Sequence, residues 1–523
     1  MSTPEIVPST SHAAGEDAPE ITGKPLARKI LGLAVGVLLA VVVYFLMPES
    51  LSAELQAASA KAVEKGKPEF TAHGLAFTAA VAVLMGVWWM TEAIPLAATA
   101  LVPLVAFPAF EVAGFKATAS PYASGTIFLF MGGFFLALAL QRWNLHRRVA
   151  LVTVLAVGTK PKQLILGFMV ATGFMSMWVS NTATAVMMLP IGLSVLTLIG
   201  EMKTDAEGKV RSNFAIALIL GIAYSASIAS LSTLIGTPPN TLLRGYLKDN
   251  HHIEIGFGQW MLVGVPLAWG FLLVAWWLLT NVLSKPEIDE IPGGKELIRE
   301  ELHKMGPMSR GEKLVGMVFL LAALSWIFLP TLFPDAGISD ELIAMAITLL
   351  LFIIPVHPKH GVALLDWETA KHIPWDVLLL FGGGLSLSAM FSSNGLSAWI
   401  GEQAKGLAGL PVIVFVIAIA ALIIFLTEMT SNTATAAAFL PIMGGVAMGI
   451  GQDPMLLVIP VALAATCAFM LPVATPPNAI AYGSGYVRIG DMVRTGVWLN
   501  IIGIVLIALV TMTLAVWVLG IAV

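Results

Sequence analysis

Residues Ser180–Pro190 read SNTATAVMMLP, and residues Ser431–Pro441 read SNTATAAAFLP, the same polar opening and closing proline 251 positions apart. The likeness continues on both sides. Upstream, Phe130-Met131-Gly132-Gly133 is answered by Leu380-Phe381-Gly382-Gly383, and Asn144 by Asn394, each at an offset of 250. Downstream, Gly236-Thr237-Pro238-Pro239-Asn240 is answered by Ala474-Thr475-Pro476-Pro477-Asn478 at an offset of 238. The lost 13 positions fall in the polar loop Glu201–Ser212, which the second copy shortens to about Gly451-Gln452-Asp453. Three signals therefore recur in one order: a Gly-rich apolar segment, an SNT break and a TPPN break. The chain is an internal repeat.

The first SNT sits midway through the long uncharged stretch between Lys162 and Glu201. Across the chain 58% of residues are hydrophobic, mean hydropathy is +0.88, and only 11% are charged. About a quarter of an average soluble protein is charged, so this chain cannot cover itself for water. Its apolar runs are continuous, which excludes the alternating strands of an outer-membrane barrel. They are long enough to cross a hydrocarbon core of about 30 Å. The composition thus predicts an all-α polytopic membrane protein. Lys+Arg and Asp+Glu, 28 against 32, leave no basic footprint for nucleic acid. The single cysteine, Cys467, excludes an intramolecular disulfide and reads as a small core residue in a helix.

Residues 1–23 are polar and read as a disordered tail. Lys24, Arg28 and Lys29 then precede the apolar run Ile30–Met47, too late in the chain for a signal peptide. That run reads as a retained first helix, with its preceding cations placing the N-terminus in the cytoplasm. The organisation expected is a first helix and loop over 24–73, one repeat over 74–283, a solvated polar linker over 284–313 and a second repeat over 314–523. The Gly-rich segments Ile127–Leu140 and Val377–Met390 are 14 residues each. Both fall short of the roughly 20 residues needed to span, and are expected to be re-entrant hairpins.

Ser, Asn and Thr are strong helix N-caps, so each SNT should end one half-helix and start another at membrane depth. The TPP motifs interrupt helix as well, because proline lacks an N–H and constrains its predecessor. Irregular backbone survives at that depth only inside protein or beside a watery cavity. Paired interrupted segments in two halves point to a secondary transporter's binding site. Half-helix N-termini attract anions, and unwound carbonyls and hydroxyls are hard oxygen ligands for an alkali cation. No Lys or Arg lies near these motifs until Arg244. An anionic substrate would therefore be compensated by helix ends and co-bound cations.

The paired SNT and TPP motifs, with Trp88-Trp89-Met90-Thr91-Glu92-Ala93-Ile94-Pro95 and Thr466–Ile480 (TCAFMLPVATPPNAI), resemble the divalent anion/sodium symporter family. The resemblance extends from about Arg28 to the end. It implies two inverted-topology repeats, about 11 transmembrane helices, two re-entrant hairpins, and a homodimer working by an elevator motion. It implies that Ser180, Asn181, Thr182, Thr237, Pro238, Ser431, Asn432, Thr433, Thr475 and Pro476 contact a dicarboxylate such as succinate, malate or fumarate. Sodium, the co-transported ion, would be held by Ser176, Ser180, Asn181 and the Gly236 carbonyl at one site. The other would use Thr427, Ser431, Asn432 and the Ala474 carbonyl. The setting implied is a bacterial inner membrane, with lipid as the surrounding partner.

Alternatives of the same fold are a sodium-independent dicarboxylate or citrate exchanger and a sulfate symporter; an anion channel is a further class. An enzyme would need a nucleophile with a base, or a metal cluster. The chain has no HExxH, and neither SNT serine has a histidine nearby. Glu92 and Glu428 stand isolated in apolar segments, where a carboxylate is either functional or a hydrogen-bonded structural group. Arg142, His146, Arg147 and Arg148 mark a cytoplasmic boundary.

Overall fold

The computed structural model describes residues 24–64, 66–158, 160–198, 212–288 and 294–522. The tail 1–23, all but the end of the loop Glu201–Ser212, and part of the linker 284–313 lie outside the described residues. Helix dominates. Among the described residues the only sheet is a small antiparallel pairing of Pro355–His357 with Val362–Ala363.

The principal helices of the first half are α1 (Lys24–Leu46), α2 (Ala72–Thr91), α3 (Gly125–Arg142), α4 (Leu145–Val157), α5 (Pro161–Ser176), α6 (Asn181–Leu198), α7 (Asn213–Ala229), α8 (Pro238–Tyr246) and α9 (Phe257–Leu278). The second half has α10 (Arg310–Leu332), α11 (Asp340–Ile353), α12 (Trp375–Ser393), α13 (Leu396–Ala404), α14 (Val412–Thr427), α15 (Asn432–Gly449), α16 (Met455–Ala465), α17 (Pro476–Gly483) and α18 (Ile489–Val510). The series α3 to α9 and α12 to α18 follow the same order around the same motifs. Among the described residues eight helices are long and apolar enough to cross a membrane. Shorter apolar helices, such as Met455–Ala465, lie between them beside the motif breaks.

Burial separates a lipid-facing shell from a protein-lined centre. In α1, Leu31 and Phe45 stay largely exposed, as befits a helix meeting lipid on most sides. From Phe214 to Ala229 every residue of α7 is buried. That helix leads directly into the first TPPN.

The structure corrects the expected position of the hairpins. Ile127–Leu140 and Val377–Met390 are the middles of single helices of 18 and 19 residues. Flanking residues of weaker hydropathy extend both. Their glycines serve close packing instead of a turn. A Cβ on Gly383 would lie 2.4 Å from the Ala100 carbonyl, and one on Gly132 would lie 2.9 Å from the Ala344 carbonyl. The helix–break–helix units are α5 to α6 and α14 to α15, with an SNT at each break.

The described part of the linker keeps Glu296, Glu300 and Lys304 exposed, as expected, and is in addition ordered. Gly294–Lys304 is helical and packs on α4. Glu301 pairs with Arg147 at 2.7 Å, and Glu312 with Arg148 at 2.6 Å. Arg142 is paired with Asp366 at 2.5 Å. Arg147 and Arg148 thus dock the connection between the halves, while Arg142 ties α3 to the segment before α12.

Small residues let α13 and α15 touch backbone to backbone, as membrane helices commonly do. A Cβ on Gly449 would sit 2.0 Å from the Gly401 carbonyl, whereas one on Gly86 of α2 would meet nothing within 4 Å. Gly449→Val should lower thermal stability in detergent by an overpacking cost of about 1–3 kcal/mol. Gly86→Val should leave the unfolding midpoint in place, and thermal melts of the two variants check the contrast.

Candidate functional site

Three of the four motif breaks are closed by ordinary side-chain caps. α5 ends at Ser176 and α6 begins at Asn181; between them Ser180 Oγ accepts the Ala183 N–H at 3.2 Å. Asn181 Oδ1 accepts the Thr182 N–H at 2.9 Å. In the second copy Ser431 Oγ accepts the Ala434 N–H at 3.4 Å. Each SNT serine therefore satisfies one free donor of the helix that it starts. Thr475 caps α17 by accepting the Asn478 N–H at 3.3 Å. The Thr237 hydroxyl makes no such cap and lies 3.2 Å from the Thr466 hydroxyl of the other half.

The repeats interlock crosswise. The SNT helix of the first half, α6, packs on the TPP helix of the second, α17; reciprocally, α15 packs on α8. The breaks are thereby drawn together in two crosswise pairs, and the Thr237–Thr466 hydroxyl contact bridges the two TPP segments. Within each half, the hydroxyl four residues before the SNT serine bonds to the helix leading toward TPP. Ser176 Oγ donates to the Ala226 carbonyl at 2.6 Å. Thr427 Oγ1 lies 3.0 Å from the Ala465 carbonyl and 2.7 Å from Asn432 Oδ1. Gly236 and Ala474 stand next to the TPP threonines in the unwound segments.

The deep members of the set, Ser176, Gly236, Thr237, Thr427, Thr433, Ala474 and Thr475, are buried. Ser180, Asn181, Thr182, Pro238, Ser431 and Asn432 are half-buried, and Pro476 is exposed. Glycine is required at 236, because a Cβ there would come 2.3 Å from the Ser230 carbonyl. The second copy carries alanine at that position, so its unwound segment follows another path.

Sequence reasoning named the TPPN motifs but gave their asparagines no task. Asn240 Nδ2 donates to the Leu231 carbonyl at 3.2 Å and the Thr233 carbonyl at 2.9 Å. Asn478 Nδ2 donates to the Ala468 and Leu471 carbonyls at 3.1 and 3.0 Å. Each amide staples its unwound segment against the first turn of the TPP helix. The twofold recurrence of the asparagine was the signal available. Cys467 is buried as expected, but in the unwound segment before the second TPP and not in a helix.

Charge near the breaks is already committed. Arg244, 1% exposed, donates to the Ile255 carbonyl at 3.1 Å and to Glu341 at 3.0 Å, with Asp340 at 3.5 Å. Lys248 shares Glu341 at 2.8 Å. Glu92 ends α2 as an exposed left-handed cap at φ 49°.

These features define a polytopic helical membrane protein with a doubled, cross-packed site of broken helices. Two solved transporters share its fold at low identity: the YdaH transporter of Alcanivorax borkumensis and the MtrF efflux pump of Neisseria gonorrhoeae. They have TM-scores of 0.53 and 0.52, each at 13% identity over 95% of this chain and 100% and 96% of theirs. A family profile described as the sodium:sulfate symporter transmembrane region matches residues 67–521, and the chain belongs to that family, the divalent anion/sodium symporters. Among its relatives are sodium-dependent dicarboxylate transporters of Staphylococcus saprophyticus (44% identical) and Staphylococcus aureus (43% identical). Each alignment covers 85% of this chain and 87% of the relative.

Arg244 illustrates how the network can be tested. Removing one partner of a buried ion pair typically costs about 3–5 kcal/mol, because the other charge is left uncompensated. Arg244→Met should therefore produce a large fall in the thermal midpoint in detergent. Glu254→Gln should produce a small one, since Glu254 is exposed and stands 3.7 Å from Arg244.

Proposed function

We propose that the chain is a secondary active transporter that couples sodium entry to symport of a C4 dicarboxylate such as succinate, malate or fumarate. The observation that carries this reading is the charge inventory of the cross-packed site. The assigned residues offer hydroxyls, amides, carbonyls and helix N-termini but no cation, and Arg244, the first Lys or Arg after the first TPPN in sequence, is buried in pairing with Glu341 and Asp340. The relatives named as sodium-dependent dicarboxylate transporters support it.

The chemistry follows from that inventory. A dicarboxylate carries two negative charges at opposite ends, and the site offers one SNT and one TPP from each half. Ser180, Asn181, Thr182, Thr237 and Pro238 would receive one carboxylate; Ser431, Asn432, Thr433, Thr475 and Pro476 would receive the other. Helix N-termini supply about half a positive charge each, too little for a dianion in a low dielectric. Sodium supplies the remainder as the co-transported ion. One ion would take Ser176, Ser180, Asn181 and the Gly236 carbonyl, and the second Thr427, Ser431, Asn432 and the Ala474 carbonyl. Substrate affinity then depends on prior sodium occupancy, which is the linkage that symport requires. Each ion moving down a tenfold gradient contributes about 1.4 kcal/mol.

The transport step in this reading is an elevator motion. The interlocked α6, α8, α15 and α17 would move as one body in a homodimer, with two inverted repeats supplying the alternate access. The setting is a bacterial inner membrane with the N-terminus cytoplasmic.

Labelled-succinate uptake into proteoliposomes tests the reading. An inward sodium gradient should drive accumulation, whereas equal uptake in potassium-only buffer would replace symport with exchange. Citrate or sulfate outcompeting succinate would move the substrate assignment. Asn181→Ala and Asn432→Ala should each reduce uptake at least a hundredfold while the protein remains folded by size-exclusion chromatography. Near-normal uptake in either would refute the site assignment.

A further inference from the structure

Glu428 follows Thr427 directly in the lead-in to the second SNT, and it is 3% exposed. Its Oε1 accepts the Phe469 N–H at 2.7 Å, the Met470 N–H at 2.9 Å and the Asn500 side-chain amide at 2.8 Å. Its Oε2 accepts the Met470 N–H at 3.0 Å and the Leu471 N–H at 3.1 Å. Three consecutive backbone donors and one amide thus converge on a group that, as a carboxylate, accepts at both oxygens. All three backbone donors belong to the unwound segment between α16 and the second TPP. Its Phe469 carbonyl is in turn held by the Tyr224 hydroxyl at 2.8 Å.

The first half shows what this contact replaces. By the repeat offsets, Glu428 corresponds to Met177, and Leu471 corresponds to Thr233. Thr233 Oγ1 donates to the Met177 carbonyl at 2.5 Å. The same two positions are therefore joined in both halves, by a hydroxyl in one and a carboxylate in the other. Segment length explains the exchange. The first unwound segment runs only from residue 233 to 237, whereas the second runs from 466 to 475. A longer break exposes more amides. A hydroxyl has one proton to donate, here given to the Met177 carbonyl, whereas a carboxylate accepts from several donors at once, and hydrogen bonds to an ionised acceptor are roughly twice as strong.

We propose that Glu428 is the positioning residue of the second sodium site: it pins the Phe469–Leu471 backbone to the end of α14. So held, the unwound segment that carries Ala474 keeps its place relative to Thr427, which itself bonds the Ala465 carbonyl at the start of that segment. This rests on the sodium-site assignment above and adds to it an asymmetry. The first site is held together by neutral hydrogen bonds, and the second by a carboxylate adjacent to one of the ion's own ligands. That negative charge also offsets the cation in a medium where charges interact far more strongly than in water.

The test compares Glu428→Gln and Glu428→Asp with the unaltered full-length protein in proteoliposomes. Gln keeps the shape but turns an NH2 toward backbone donors and removes the charge. The sodium concentration for half-maximal succinate uptake should rise at least fivefold in Glu428→Gln, while the succinate KM at saturating sodium stays within twofold. Sodium-dependent thermal stabilisation without substrate should move to higher sodium in parallel. Glu428→Asp, one methylene shorter with its charge intact, should fall between the two. A general loss of packing would lower maximal uptake without this selective sodium shift, so a folded Gln variant with unmoved sodium half-saturation overturns the proposal. If the Gln variant does not fold, the Asp variant is scored by the same shift and can overturn it in the same way. Sodium-indifferent uptake by the unaltered protein would overturn the symport reading and this proposal together. A sodium-dependent parent with an unshifted variant overturns the clamp alone.

Discussion

Backbone that leaves the helix at membrane depth has no water to bond to, and every unpaired N–H or C=O there costs several kcal/mol. At the two SNT and two TPP motifs this chain unwinds within apolar sequence, so the orphan groups there must be satisfied by the protein itself. Most of the architecture around the site answers that demand. Serines and a threonine cap the restarted helices, Asn240 and Asn478 staple the loops, and hydroxyls at Ser176, Thr233 and Thr427 take up loose carbonyls. Where hydroxyls do not suffice, a carboxylate takes their place. The polar groups that could receive a substrate are thus the remainder after structure has been satisfied, and they stand half-buried at the SNT turns.

Much of this was legible in the sequence because it rests on local rules. The repeat needed only identity at fixed offsets, and the SNT breaks needed only capping chemistry within an uncharged run. What failed was an argument from length. Ile127–Leu140 and Val377–Met390 are too short to span if hydropathy alone sets their ends. Helix, however, continues through Arg142 on one side and Trp375 on the other. The glycine pairs there report a neighbouring helix, and one-dimensional sequence does not distinguish that from a turn. The linker is solvated as its balanced charge suggests, but its docking was hidden for a related reason: nothing in sequence places Arg147 beside Glu301.

The contacts missed altogether join residues distant in sequence. Nothing near Asn478 announces that its amide reaches Ala468 and Leu471, and nothing near Glu428 announces three amides some forty residues away. The repeat offered a partial route to both. The asparagine recurs at the same place in each half, whereas the glutamate appears once, opposite a methionine. Recurrence marks what both halves need, and a departure from it marks where one half solves its problem differently.

The crosswise packing of α6 on α17 and of α15 on α8 also bears on how such a chain is made. A ribosome delivers the first SNT helix to the membrane nearly three hundred residues before the helix it will rest on. Throughout that interval the first pair of breaks lacks its permanent cover, and the early half must wait in a provisional arrangement, shielded by lipid, water or the insertion machinery. Biogenesis therefore ends in a late docking event, and the two halves mature as one unit instead of in succession.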